Sequence, residues 1–221
     1  MLRALGHPVS FLGLLIGFLA AIALCSVVQR ACARMLGVRV GPRDPGAAGW
    51  LNPYGAVAAI LGGPGWGPTV TPAMGSRARR CLVLISGPLA AAVLGAAALA
   101  GFAAQAGGRL ALSGRPSLGD VLSGIDGPAK LVLPLCIGLE AVTVALLAFV
   151  PLPPLPGWGV LSIFVRPTTS WQRTRMYLEE RNIGILILLV LLALPLGGGL
   201  PILVEILDWI VGLILRAVAG G

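Results

Sequence analysis

Charge is what this 221-residue sequence has least of: only 11% of its residues are Asp, Glu, Lys or Arg, against about 25% in a soluble domain. So few charges cannot clothe a globule of this size in water-facing side chains. An ordinary soluble domain is excluded, and lipid is left to cover the surface. Lysine is nearly missing, with Lys130 alone, and His7 is the single histidine. Any site that needs two imidazoles is therefore ruled out. The four cysteines, Cys25, Cys32, Cys81 and Cys136, form no Cys-x-x-Cys pair, so neither a disulfide framework nor a zinc ribbon is indicated. Within apolar runs they act as small hydrophobes. Glycine is abundant but has no three-residue period, which excludes a collagen-like chain. The net charge of +8 does not make a nucleic-acid module, because the arginines are spread between apolar runs instead of forming one basic domain. That spread is what the positive-inside rule produces.

What is present is hydrophobic residue, 57% of the chain, with a mean hydropathy of +0.95. Phe11 to Val28 is apolar apart from Ser26, longer than a signal-peptide core and without a small-x-small cleavage site, so it reads as a true span. The pattern runs on through Arg30 and Arg34 to a stop at Gly37, and its Gly13-x-x-x-Gly17 permits close helix approach or is chance in a Gly-rich chain. Leu51–Gly63 is apolar but too short to cross, and Pro64-Gly-Trp-Gly-Pro68 then breaks regular structure. A re-entrant or irregular segment near 51–72 is predicted, with Trp50 and Trp66 suited to an interface belt. Cys81–Gln105 and Leu131–Val150 are the second and third spans, separated by a polar loop over 106–130. A Pro-rich break and a mixed loop lead to Asn182.

The last region, 183–218, is interrupted by Gly197–Gly199 and Pro201. As one helix it would be about 54 Å long, too long for a ~30 Å hydrocarbon core, so it reads as a C-terminal helical pair. Glu205, Asp208, Gly212 and Arg216 recur at helical spacing and make one polar stripe, leaving 202–218 either a crossing or a surface-lying helix. The fold class is thus all-α: a single polytopic membrane bundle over 1–221 with about four to five transmembrane helices. Basic residues dominate the 29–80 and 151–182 segments, which places both on the cytoplasmic side of a cell membrane. Arg166, Trp171, Arg173, Arg175 and Tyr177 read as a membrane-surface loop.

Four stretches together resemble the site-2 protease family of intramembrane zinc metalloproteases, over residues 19–90 and 145–161. Leu36-Gly37 closes the first helix, Leu51-Asn52-Pro53-Tyr54-Gly55 leads into Gly62 to Pro72, Ser86-Gly87-Pro88-Leu89 opens the next helix, and Pro151-Leu152-Pro153-Pro154-Leu155-Pro156-Gly157 follows the third. The resemblance implies a core over 11–161, a bacterial inner-membrane location and a cleft for a partner's transmembrane helix. It also implies a zinc site built from His-Glu-x-x-His and the Asp of a Leu-Asp-Gly signature, the Glu activating a metal-bound water. Counting back from Gly37, those positions fall on Cys25, Ser26, Gln29 and Pro156, and the Asn that precedes the signature falls on Ala148. No family ligand remains and the general base is gone, so no catalytic residue and no zinc cofactor are expected.

Glu140 is the remaining sharp feature, since a mid-membrane carboxylate is costly and should face protein or water. It suits a proton, cation or substrate-amide site, or an interior acid bonded to a neighbour such as Gln29. A replacement metal site from Cys25, Cys136 and Glu140 is a weak candidate. Besides the lipid bilayer, the expected partner is a membrane helix met by Asn52, Pro53, Tyr54, Trp66 and Glu140. Three functions follow as alternatives: a pseudoprotease that scaffolds a membrane partner, a divergent intramembrane metalloprotease, or a small transporter using Glu140.

Overall fold

The computed structural model describes residues 2–41, 51–105, 117–194 and 201–218, with side chains described between 4 and 213 of these. Among the described residues the chain is all-α, with nine α-helices and no strand beyond one isolated bridge between Val40 and Pro72. The helices are α1 (Pro8–Met35), α2 (Pro53–Gly62), α3 (Arg77–Gln105), α4 (Leu118–Ser123), α5 (Ala129–Leu147), α6 (Pro156–Phe164), α7 (Thr169–Arg175), α8 (Ile183–Ala193) and α9 (Ile202–Val218). Three of them, α1, α3 and α5, are long and apolar enough to cross a membrane. This is a multi-pass architecture.

Those three helices pack on one another and form the centre of the molecule. Small residues set how closely they approach. A Cβ placed on Gly17 would lie 2.9 Å from the Ile137 backbone and 3.1 Å from the Glu140 Cβ, and one on Gly13 would lie 2.7 Å from the Cys136 Cβ. The Gly-x-x-x-Gly pair is therefore the seam between α1 and α5, not chance. Its pairings advance together along both helices, so α1 and α5 run parallel. Cys25 meets Gly87 and Gln29 meets Leu84, so α1 and α3 run antiparallel. The ends of α1 and α5 and the start of α3 accordingly share one end of the bundle, where the basic segments lie.

The first helix stops where expected. Gly37 takes φ +63°, a conformation that favours glycine. From there α2 enters the bundle and its glycine-rich continuation returns. Asn52 starts α2, its side-chain oxygen accepting from Tyr54 N and Gly55 N at 3.0 and 3.3 Å, with Pro53 at the first helical position. Gly63 reaches Leu122 of α4, Gly65 lies against Phe18, Gly67 against Ile22, and Val70 against Gln29. The return thus climbs along α1 from Phe18 to Gln29, about 16 Å of helix. That is a re-entrant path, and it corrects one expectation: Trp66 is no interface residue but is 3% exposed within the core. Trp50 lies outside the described residues.

About four to five transmembrane helices were expected, and among the described residues three are long and apolar enough to cross. In the C-terminal pair, α8 has 11 residues, about 16 Å, too short to cross. It starts against Pro153 at Gly184 and ends where Leu192 meets Gly62. α9 buries Leu203, Val204, Leu207 and Val211, while Asp208 accepts a hydrogen bond from Leu118 N. The polar stripe is thus turned at Asp208 toward α4. Glu205 is exposed, Gly212 has open space around it, and the Arg216 side chain lies outside the described residues. Two loops are more ordered than expected. Residues 118–123 form α4, capped reciprocally by Ser117 and Asp120. The arm from 169 to 180 is helical, held by Trp158, which donates to Glu179 at 2.6 Å and packs on Trp171 at 5.1 Å. Tyr177 lies under the Arg181 guanidinium, while Arg166, Arg173 and Arg175 are exposed.

Candidate functional site

The residues singled out on α1 lie against the only proline inside α3, and the proline explains why. Pro88 has no backbone N–H, so the Leu84 carbonyl loses the donor that position 88 normally supplies. In a membrane interior such an orphan is costly. Gln29 supplies the replacement: its Nε2 donates to Leu84 O at 3.1 Å. Gly87 makes room for it, since a Cβ there would lie 2.8 Å from the Gln29 side chain. The other end of the same amide is also engaged, Oε1 accepting from Val70 N at 3.3 Å. One buried side chain therefore ties α1, α3 and the returning segment together. A turn earlier, the Cys25 thiol donates to Gly87 O at 3.2 Å.

The Pro-rich turn closes the same region from the other side. Thr69, adjacent to Val70, donates its hydroxyl to Pro154 O at 2.8 Å, two residues before Pro156 opens α6. Gly159 of α6 lies against the Leu84 side chain. Carrying the α1–α5 register to the end of α5 puts Ala148 level with Cys25. So Cys25, Gln29, Ala148 and the Pro151–Gly157 turn, which are distant in sequence, gather at the arginine end. Ser26 is buried beside them with no hydrogen-bond partner for its hydroxyl.

Cys136 and Glu140 do not join this cluster. They oppose Gly13 and Gly17, eight to twelve residues before Cys25 on α1, which is roughly 12–18 Å along the axis. Cys25, Cys136 and Glu140 therefore do not converge on one point. Among the described residues no group of three His, Cys, Asp or Glu side chains could hold a metal ion. Nor does the expected bond between Glu140 and Gln29 form: Glu140 opposes Gly17, twelve residues before Gln29 on α1, roughly 18 Å along the axis. Glu140 is 0% exposed and neither of its oxygens has a hydrogen-bond partner.

The gathered positions do not fit a zinc ion. Zinc takes thiolate, imidazole or carboxylate donors. Pro156 has no side-chain donor atom, the Gln29 amide is used on backbone, and the Cys25 sulfur points its proton at a carbonyl. Of the residues proposed to meet a partner, Asn52 is spent as a helix cap, and Trp66 and Glu140 are buried. Pro53 and Tyr54 remain exposed. No protein-family model, curated protein or solved structure matches the chain. The feature that sequence reasoning missed is the pairing of Pro88 with Gln29. Its signal was available: a proline inside an apolar span, and one amide side chain inside another.

Proposed function

We propose that this chain is a catalytically inactive, site-2-protease-like protein that binds or scaffolds a membrane partner without cleaving it. The supporting observation is the use made of Gln29. Where the resemblance implies a zinc ligand, this chain has an amide whose two ends satisfy backbone of α3 and of the returning segment. A side chain in that role strengthens the scaffold and cannot polarise water. The remaining surface for a partner helix is the outer face of α2, where Tyr54, Val57, Ile60 and Leu61 are exposed. In this reading α1, α3 and α5 cross a cell membrane with the arginine end cytoplasmic. α9 lies across the opposite face, because its middle is held by α4.

The test is to measure the zinc content of purified protein and its cleavage of a reference transmembrane substrate. Neither stoichiometric zinc nor cleavage is expected. Bound zinc together with cleavage that Cys25→Ala abolishes would overturn the proposal in favour of a divergent metalloprotease. One observation favours a second reading, a small transporter: Glu140 is buried with neither oxygen hydrogen-bonded among the described residues. Ion flux in proteoliposomes that is lost in Glu140→Gln would support it, and absence of flux would remove it.

A further inference from the structure

Arg39, Arg77, Arg79 and Arg80 surround the junction between the end of α1 and the start of α3. Arg79 Nη1 donates to Leu36 O at 3.4 Å, Arg39 Nη1 lies 4.0 Å from the Met74 sulfur, and the Arg80 stem lies beside Gly75. None of the four has a carboxylate partner among the described residues. The acids described at this end are Glu179 and Glu180, and Glu179 is already occupied by Trp158 and Arg175. Arg77, Arg79 and Arg80 fall within four consecutive residues at the start of α3, a helix rise of about 4.5 Å against a Debye length of roughly 8 Å at physiological salt, so an external anion relieves their repulsion. Below Arg79 the outer face of α3 carries a line of exposed apolar side chains, Leu82 (55%), Leu89 (54%) and Val93 (69%). Their spacing of seven and four residues keeps them on one face. From Leu82 to Val93 the line measures about 16 Å, close to half of a ~30 Å hydrocarbon core. Charge and apolar track are continuous. The molecule that matches both is an anionic head on a long hydrocarbon tail.

We propose that the arginine end of α3 is a binding site for one anionic phospholipid, its headgroup phosphate held by Arg77 and Arg79 with Arg39 and Arg80 beside it, and an acyl chain lying along Leu82, Leu89 and Val93. Near a membrane surface each arginine favours an anionic lipid by roughly fivefold, so a pair yields a preference above tenfold. Native mass spectrometry of the full chain, released from nanodiscs that contain equal phosphatidylglycerol and phosphatidylcholine of matched chain length, reads this preference directly. Wild type should retain phosphatidylglycerol at least tenfold over phosphatidylcholine. R77Q/R79Q should lose that preference with its thermal unfolding otherwise intact, and R166Q/R173Q, at the second basic patch, should keep it. Leu89→Asn should weaken lipid retention while leaving the headgroup charges in place. Equal retention of the two lipids by wild type, or equal loss in both arginine pairs, would overturn the site. So would stabilisation by inorganic phosphate or glycerophosphate as large as that by the lipid, because the apolar track would then contribute nothing. If R77Q/R79Q does not fold, the single variants R77Q and R79Q decide the matter by the same retention ratio, each lowering it if the site is real and both leaving it unchanged if it is not.

Discussion

Replacing Gln29 by leucine tests the architecture at its most specific point. The substitution roughly keeps volume and removes both hydrogen bonds, leaving the Leu84 carbonyl and the Val70 N–H buried without partners. Each orphaned group costs about 1–3 kcal/mol, so Gln29→Leu should lose about 2–6 kcal/mol. That is a large share of the ~5–15 kcal/mol stability of a typical domain. The decisive measurement is a double-mutant cycle with Pro88→Ala. Alanine restores the N–H at position 88, which can then bond the Leu84 carbonyl within α3. In that background Gln29 is needed only for Val70, and the cost of Gln29→Leu should fall by about 1–3 kcal/mol. Equilibrium unfolding of the four proteins in detergent, followed by tryptophan fluorescence and helix circular dichroism, gives the cycle. Equal losses from Gln29→Leu with and without the Pro88→Ala change, to within ~0.5 kcal/mol, would show that the proline does not create the need for Gln29.

Other perturbations separate the remaining structural claims. Gly17→Leu puts a branched side chain against the Ile137 backbone and should separate α1 from α5, costing about 3 kcal/mol, the upper end of the overpacking scale; Gly6→Leu, at a position with open space around it, should be nearly neutral in the same unfolding assay. Asp208→Ala leaves Leu118 N without its acceptor and should free α9 at a cost of about 1–3 kcal/mol, read as faster amide hydrogen exchange in α9 with exchange in α1, α3 and α5 unchanged. Glu140→Leu should raise stability by about 1–3 kcal/mol, since it replaces a buried carboxylate with no hydrogen-bond partner among the described residues by a side chain of similar volume; a loss of stability would mean that the carboxylate has a structural partner.

Periodicity and composition carried the sequence reading a long way. The three spans, the stop at Gly37, the break after Gly63 and the division of the C-terminal region all follow from run length, glycine and proline. These are local properties of the backbone, and the membrane amplifies them because no water is present to satisfy broken hydrogen bonds. The errors share one cause. Trp66 was read by residue type as an interface residue, but the return along α1 carries it inside. Gln29 was matched to Glu140 because both are polar and sparse, although they stand three turns apart on the α1 register. The short helices α4 and α7 hid in polar stretches because their apolar faces are brief. Pairing across distant segments is a property of the fold, and only the unsatisfied groups that force it, such as the carbonyl freed by Pro88, can be read from one segment alone.

That carbonyl also bears on why chemistry and architecture compete at this end of the bundle. A re-entrant segment and a proline inside a membrane helix each release backbone groups that water cannot reach, and a side chain on the neighbouring helix must satisfy them. In this chain Gln29 meets both demands at once, Cys25 adds a bond to the Gly87 carbonyl, and Gly87 is small enough to let the amide in. A hydrolytic centre at the same place would need donors turned toward a metal and away from the backbone. Introducing imidazoles by Cys25→His and Gln29→His would therefore disturb three hydrogen bonds from α1, two to α3 and one to the returning segment, before providing any ligand. An imidazole at position 29 could satisfy the Leu84 carbonyl or the metal through one nitrogen, but not those two and Val70 N together. Such a variant should unfold more readily than wild type whether or not zinc is supplied, because the loss arises in the scaffold and a third ligand at Pro156 would still be missing.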